Sequence, residues 1–382
     1  MVGIVDICDK QKRVFTPLLA GNCHSRYKCP AFIYLTMNIL IANNTTIPVH
    51  AYGGTERIIW WLGKELSKQG HSVTFLVKKD STCPFAKVIE IDEKKSFAEQ
   101  IPADTDIAHF HFEINETLPV PQITTVHGNS NSAKTFPKNV VFVSHNHAKR
   151  HGAEAFVYNG IDFDDYGKPM TQNKRLYFHF LGNAAWRVKN VRGAIDVADK
   201  AGVRLHVIGG SRVNFSMGLR ITLSPQVRFH GMLGGDGKNA ILQASKGLIF
   251  PVLWHEPFGL AIIESLYFGC PVFGTPYGSL PELLGSKPYL YPDRKWNGRV
   301  DAFQSEVGFL SGKKTELIQA VKEADQYDRQ RCQDYAIEHF SARRMADDYL
   351  RLYEKILNGE SLHAEAPVFA PEEQGEKFLP LR

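Results

Sequence analysis

The segment His255-Glu256-Pro257-Phe258-Gly259-Leu260-Ala261-Ile262-Ile263-Glu264 follows the apolar run Leu248–Pro251. The run reads as a buried strand, and the segment as a loop that becomes a helix around Phe258 to Leu260. Glu256 then stands just ahead of the helix. Glu264 lies within it, on a stretch otherwise built from Ala, Ile, Leu, Ser and Tyr. Ligands of open α/β sheets bind beyond the carboxyl ends of the strands. A helix N-terminus there offers free N–H groups and the positive end of its dipole to a phosphate. Gly259 allows close backbone approach. A carboxylate at Glu264 suits two adjacent ribose hydroxyls, which can donate to its two oxygens. The plainer reading is that Glu256 complements the helix dipole and Glu264 is an exposed surface residue.

Strands and helices alternate on both sides of this segment. Upstream, Met37–Ala42 reads as a buried parallel strand. A polar loop and Gly53-Gly54 follow, then a helix with Ile58, Ile59, Leu62 and Leu66 at helical spacing, ended by Gly70. Further strands are predicted at Val73–Val77, Asp106–Phe110, Gln122–Val126 and Val140–Val143. Residues 159–174 are polar and punctuated by Gly and Pro, as a linker is. A second series follows, with strands at Leu176–Leu181, Leu205–Ile208, Val227–His230, Leu248–Pro251 and Pro271–Thr275. Its helices are predicted at 190–201, 237–245, 259–269, 313–325 and 328–339. A last helix, 342–357, carries Met345, Tyr349, Leu352, Tyr353 and Ile356 on one face.

The pattern predicts an α/β chain with two parallel sheets, each covered on both faces. Residues 1–36 form an extension outside the fold, and 37–158 a first Rossmann-like domain. The linker spans 159–174 and a second such domain 175–340. A helix over 341–358 crosses back to the first domain, and the acidic, proline-bearing tail 359–382 is predicted to be disordered.

Composition narrows the function classes. Of 382 residues, 43% are hydrophobic and 22% charged, enough to fill two cores. A net charge of +5, without a Lys/Arg-rich run interleaved with aromatics, excludes a nucleic-acid partner. It is compatible with an anionic substrate or with peripheral association at a membrane. No apolar stretch is long enough to span a bilayer, and Asp6, Asp9 and Lys10 break up the N-terminal apolar residues. A cytoplasmic location is the expectation. Cys23-His24 and Cys29 lack further ligands at a metal-binding spacing.

The segment 256–264, followed by Gly269-Cys270-Pro271-Val272-Phe273-Gly274-Thr275 and Gly278-Ser279-Leu280-Pro281-Glu282-Leu283-Leu284, resembles the retaining family-4 glycosyltransferases (glycosyl transferases group 1) of the GT-B fold. Tyr52-Gly53-Gly54-Thr55-Glu56, Thr124-Thr125-Val126-His127-Gly128, Val143-Ser144 and Tyr158-Asn159-Gly160-Ile161-Asp162 fall in the order of that family, so the resemblance runs from Met37 to about Leu357. It implies two Rossmann-like domains facing each other across a cleft. It also implies transfer of a sugar from a UDP-, GDP- or ADP-sugar to an acceptor hydroxyl of a glycan or lipid-linked molecule, with retention. By the same resemblance Glu264 holds the donor ribose, Glu256 contacts the transferred sugar, and Phe258, Gly259 and Leu260 lie against sugar and diphosphate. Gly53 and Gly54 let the first loop approach the diphosphate, His127 lines the site near the sugar, and Lys189 neutralises the diphosphate.

One departure stands out. The Arg that the family places after the first strand of the second domain is Asn183 here, and the Gly after the Lys is Asn190. Arg187 is close enough in sequence to supply the missing charge, so either it does so or the donor is gripped differently. Asp104-Thr105-Asp106 precedes a strand and Asp162-Phe163-Asp164 lies in the linker. Neither follows a donor-domain strand, so both read as turn carboxylates, and the expectation is transfer with no cofactor and no metal. The rivals are a nucleotide-sugar epimerase and a nucleotide-sugar-binding protein without transfer. A dinucleotide dehydrogenase is disfavoured because no Gly-x-Gly-x-x-Gly opens the first helix.

Overall fold

Two parallel sheets organise the chain in the computed structural model, which describes residues 36–49, 53–170, 172–215, 218–289, 302–371 and 378–382. The first half begins with β1 (Asn38–Ala42), α1 (Gly54–Lys68), β2 (Ser72–Val77), β3 (Lys87–Glu90) and β4 (Ile107–Phe110). It continues with β5 (Gln122–Val126), the two-residue β6 (Lys134–Thr135), β7 (Val140–Phe142) and α2 (His145–Arg150). Its six-stranded sheet has the order β3-β2-β1-β4-β5-β7, parallel throughout. Ile39, Leu40 and Ile41 are all buried, as a strand covered on both faces requires.

The second half runs β8 (Tyr177–Leu181), α3 (Val191–Ala201), β9 (Leu205–Ile208), the hairpin strands β10 (Val213–Asn214) and β11 (Arg220–Ile221), then β12 (Val227–Phe229). There follow α4 (Gly235–Gln243), β13 (Ser245–Phe250), α5 (Leu260–Tyr267), β14 (Val272–Gly274), α6 (Leu280–Leu283), β15 (Lys287–Pro288), β16 (Ala302–Ser305) and β17 (Gly308–Ser311). The sheet order is β12-β9-β8-β13-β14-β17-β16-β15, parallel except for the pairings of β16 with its two neighbours. The helices α7 (Lys314–Lys322), α8 (Arg329–Phe340) and α9 (Ala342–Leu357) and the short β18 (Val368–Phe369) complete the chain.

Helix α9 packs on the first half. Tyr349 and Tyr353 are fully buried there, their hydroxyls 3.0 Å from Thr125 Oγ1 and 2.7 Å from His109 Nδ1. The stretch expected to be a linker is partly ordered as a single 3-10 turn, Phe163–Tyr166, with Tyr166 buried. Sequence periodicity misses β3, both hairpin strands β10–β11, and β15–β17. These strands have two to four residues.

The tail requires a correction. The described residues 359–371 and 378–382 are not a solvated coil: Val368–Phe369 pairs antiparallel with Lys134–Thr135, and Phe369 packs with Phe136 and Phe142. His363 Nε2 accepts the backbone N–H groups of Glu154 and Ala155 at 3.1 and 3.2 Å. Leu379 N–H donates to Leu253 O at 2.7 Å. A few apolar residues that find a groove outweigh the acidic, proline-bearing composition on which the expectation of disorder rests. The extension, apart from Thr36, lies outside the described residues.

Candidate functional site

Beyond the carboxyl end of β13, the loop His255–Gly259 is held from both halves. From the second half, Ser279 donates its N–H to Glu256 O at 2.9 Å and its hydroxyl to Phe258 O at 2.6 Å. From the first half, the Ser144 hydroxyl donates to Pro257 O at 2.7 Å and Asn129 Nδ2 to His255 O at 2.8 Å. Gly278, at φ 66°, passes so close that a Cβ would lie 2.2 Å from Glu256 N. Only glycine fits this left-handed, crowded position. Gly259, at φ 94°, then turns the chain into α5. The N-termini of α1 and α5 meet here: a Cβ on Gly54 would lie 3.6 Å from Leu260 Cδ1. Between them is a cleft of about 440 Å³, lined from both halves.

Glu264 lines this cleft and is 3% exposed. Three donors converge on its Oε1: Arg57 Nη1, the Tyr166 hydroxyl and Lys238 Nζ, each at 2.6 Å. Burial alone would raise the carboxyl's pKa, but the charges of Lys238 and Arg57 and the Tyr166 hydroxyl hold it well below the usual carboxylate range. Burial lowers the Lys238 ammonium in turn, partly offset by Glu264. Tyr166 is raised by burial and by the adjacent carboxylate. The site is therefore an ionised carboxylate inside a ring of donors from α1, α4 and the interdomain turn.

The second charged group is the pair Lys189–Glu256. Lys189 Nζ reaches both carboxylate oxygens, at 2.8 and 2.7 Å, and Trp254 Nε1 donates to Oε2 at 2.8 Å. The ammonium also lies 5.4 and 5.2 Å from the ring centres of Phe250 and Trp254. Both partners line the cleft.

His127 lines the cleft from the end of β5. Its Nε2 is 2.8 Å from His111 Nδ1, and His111 stacks in turn on His109 with ring centres 4.1 Å apart. His109 Nε2 is bonded to the Thr125 hydroxyl at 2.8 Å. Burial lowers His127 to about 4, and lowers His109, next to it in charge, to about 3. These rings stay neutral at ordinary pH.

Glu256, Phe258, Gly259, Leu260, Glu264, Lys189, His127 and Gly54 all line the one cleft. Gly53 caps α1, and its carbonyl accepts from Arg57 Nε at 3.0 Å. Asn183 and Arg187 do not join the lining. Asn183 Oδ1 accepts the N–H of Ala185 at 3.0 Å, closing a turn. The exposed Arg187 lies over the Phe378 ring at 4.9 Å, in a neighbouring depression. Residues that sequence reading missed are Arg57, Tyr166 and Lys238, whose only signal was polarity near a helix start or turn. His111, bonded to His127, is a further residue of this group. Asp106 accepts the N–H of Asn38 at 2.8 Å, and Asp162 pairs with Lys64 at 2.6 Å. Among the described residues, no group of three His, Cys, Asp or Glu is arranged to hold a metal, and no helix is long and apolar enough to cross a membrane.

Two parallel-sheet halves with a cleft between them give the chain the GT-B fold. Residues 175–306 match the family model for glycosyl transferases group 1. The C-terminal half thus carries a glycosyl transferases group 1 domain. It is 21% identical over 379 residues to N-acetyl-alpha-D-glucosaminyl L-malate synthase of Bacillus anthracis, covering 81% of this chain and 95% of that one. Among solved structures it resembles AviGT4, a glycosyltransferase involved in avilamycin A biosynthesis (TM-score 0.63, 17% identity, 85% of this chain and 98% of that one). It also resembles Anabaena HepE in complex with UDP-glucose (TM-score 0.52, 14% identity, 84% and 99%). Likenesses this distant carry the fold.

Proposed function

We propose that this chain transfers a glycosyl group from a nucleoside-diphosphate sugar to an acceptor hydroxyl, with retention of anomeric configuration and without a metal ion. The observation that carries the reading is the placement of Glu264, a buried ionised carboxylate, in the same cleft as Lys189 and two helix N-termini. The ribose hydroxyls donate to Glu264. The diphosphate lies between the N-termini of α1 and α5, near Lys189. As the bond from the anomeric carbon to the phosphate oxygen breaks, negative charge grows on the β-phosphate, where the ammonium and the backbone N–H groups stabilise it. The acceptor oxygen bonds to the anomeric carbon on the same face, and its proton passes to the departing phosphate. Neutral His127 holds hydroxyls on the sugar side.

Glu256 changes partners in this scheme. Free, it binds Lys189; with donor present, the β-phosphate draws Lys189 away and the sugar hydroxyls take up the carboxylate. The HepE complex with UDP-glucose, on the same fold, supports a nucleotide-sugar donor. The acceptor belongs to a glycan or a lipid-linked molecule, and the product to a biosynthetic route. Incubation with UDP-, GDP- and ADP-sugars in EDTA tests the reading. With water in the acceptor's place, nucleoside diphosphate should be released and early NMR spectra, before mutarotation, should show the free sugar in its donor anomeric configuration. An inverted product, or turnover only with added Mg²⁺ or Mn²⁺, contradicts it.

A further inference from the structure

Trp254 stands two residues ahead of Glu256 on the loop that leaves β13, and both line the cleft. The loop is tied down on either side of the indole. Leu253 donates its N–H to Val188 O at 2.8 Å, and its carbonyl accepts from Leu379 N–H at 2.7 Å. The Thr275 hydroxyl donates to Val252 O at 2.5 Å, and Asn129 Nδ2 donates to His255 O at 2.8 Å. From this fixed position the indole meets both members of the charged pair. Its Nε1–H donates to Glu256 Oε2 at 2.8 Å, and Lys189 Nζ lies 5.2 Å from its ring centre. Trp254 is only partly buried, whereas Glu256 is buried. A partly exposed N–H can bond to water, so burial alone does not dictate its bond to the carboxylate. Among the described residues, Lys189 and Trp254 are the side-chain donors to Glu256.

We infer that Trp254 is a positioning residue, which holds the Glu256 carboxylate in place while its ion-pair partner changes, and which thereby sets selectivity for the sugar. The inference rests on the partner exchange proposed above. Lys189 bonds both carboxylate oxygens, at 2.8 and 2.7 Å, so its departure toward a β-phosphate releases both together. The indole N–H remains. It is a donor only, so the departing ammonium has no means of taking it from the carboxylate. A hydrogen bond to an ionised acceptor is about twice as strong as one between neutral groups, and this one is made from within the same tethered loop. It keeps Oε2 on the indole and leaves Oε1 as the oxygen offered to a sugar hydroxyl. The carboxylate therefore does not follow the ammonium toward the diphosphate. Because Oε1 then meets the sugar from one direction, a donor with the opposite configuration at the hydroxyl it contacts leaves a buried polar group unpaired and is disfavoured.

Indole N–H spectra of the ¹⁵N-labelled full chain test the inference separately from transfer. The signal that Trp254→Phe removes should exchange slowly with water in the ligand-free protein and exchange faster in Glu256→Ala. It should remain slow when UDP, GDP or ADP is added, whichever of them raises the thermal midpoint. A signal that Glu256→Ala leaves unchanged, or one that loses its protection when the nucleotide binds, overturns the inference. The ligand-free spectra decide on the indole bond even where no nucleotide binds, an outcome that counts against the transfer reading alone. With a donor that wild type turns over, Trp254→Phe keeps a ring beside Lys189 and removes the hydrogen bond. Its kcat should fall at least about tenfold, as for one hydrogen bond to a charged group, with donor KM nearly unchanged. The preference for that donor over its epimers at single sugar hydroxyls should shrink. A rise in KM at wild-type kcat, or an undiminished preference, overturns the assignment.

Discussion

Arg57, on the first helix of the first half, reaches Glu264, on the cleft helix of the second half, with Nη1 2.6 Å from Oε1. One ion pair thus spans the cleft at the carboxylate assigned to the donor ribose. It couples the seating of the two halves to the state of the site.

Replacing Glu264 by Ala leaves Arg57 and the buried Lys238 facing each other without their shared counter-charge. Breaking a buried pair in this way destabilises by about 3–5 kcal/mol. Urea or thermal unfolding should show that loss for Glu264→Ala and a smaller one when Lys238→Met is added. An unchanged midpoint in the single variant contradicts the described pairing.

The same group fixes a pH response. The folded carboxyl titrates below its ordinary value of 4.5, so its stabilisation is present above that pH and is lost on acidification through the lower, folded value. The buried histidines act earlier. His127 and His109 are lowered from 6.5 to about 4 and about 3, so stability from keeping them neutral is complete above pH 6.5 and falls as pH drops toward 4. Thermal midpoints should decline between those values, and a His109→Gln variant should decline less steeply. Identical slopes contradict the burial of His109.

His127→Ala should reduce turnover more than donor affinity, because the ring lies at the end of a first-half strand. With its pKa near 4, the wild-type profile of kcat should show no inflection from this residue near pH 6.5. An inflection there that disappears in His127→Ala contradicts a neutral role. His111, through its 2.8 Å bond to His127, should act as a positioning residue. His111→Ala should lower kcat with KM for donor nearly unchanged, and His111→Asn should recover part of the loss.

Lys189→Ala should reduce turnover by roughly 10²–10³-fold, the effect of removing one donor from a developing oxyanion. Arg187→Ala should be close to silent, since that guanidinium lies over Phe378 and not in the cleft. Comparable losses in both variants would bring Arg187 back to the diphosphate.

The sequence disclosed the parts of this site that depend on local order. Glu256, Gly259 and Glu264 announce themselves because loop, glycine and helix are contiguous, and the apolar strands on either side are long enough to show parallel-sheet burial. Arg57, Tyr166 and Lys238 did not, because each reaches Glu264 from a different element and nothing in their neighbourhoods distinguishes them from surface polar residues. With Asn183 at the position where the family has Arg, the nearest cation in sequence is Arg187, and it lies over Phe378. The cations on Glu264 come from α1 and α4, distant in sequence and close only in the fold. The tail escaped for a similar reason: Phe369 has a partner groove formed by Phe136 and Phe142, which composition cannot reveal.

The most direct test of the donor assignment is calorimetric titration of wild type and Glu264→Gln with UDP and 2′-deoxy-UDP. For wild type, loss of the 2′-hydroxyl should weaken binding by about 1.5–3 kcal/mol, as for a hydrogen bond to a charged group. In Glu264→Gln the two ligands should bind nearly alike, giving a coupling energy of similar size. Equal penalties for the deoxy ligand in both proteins would place the ribose elsewhere and contradict the account.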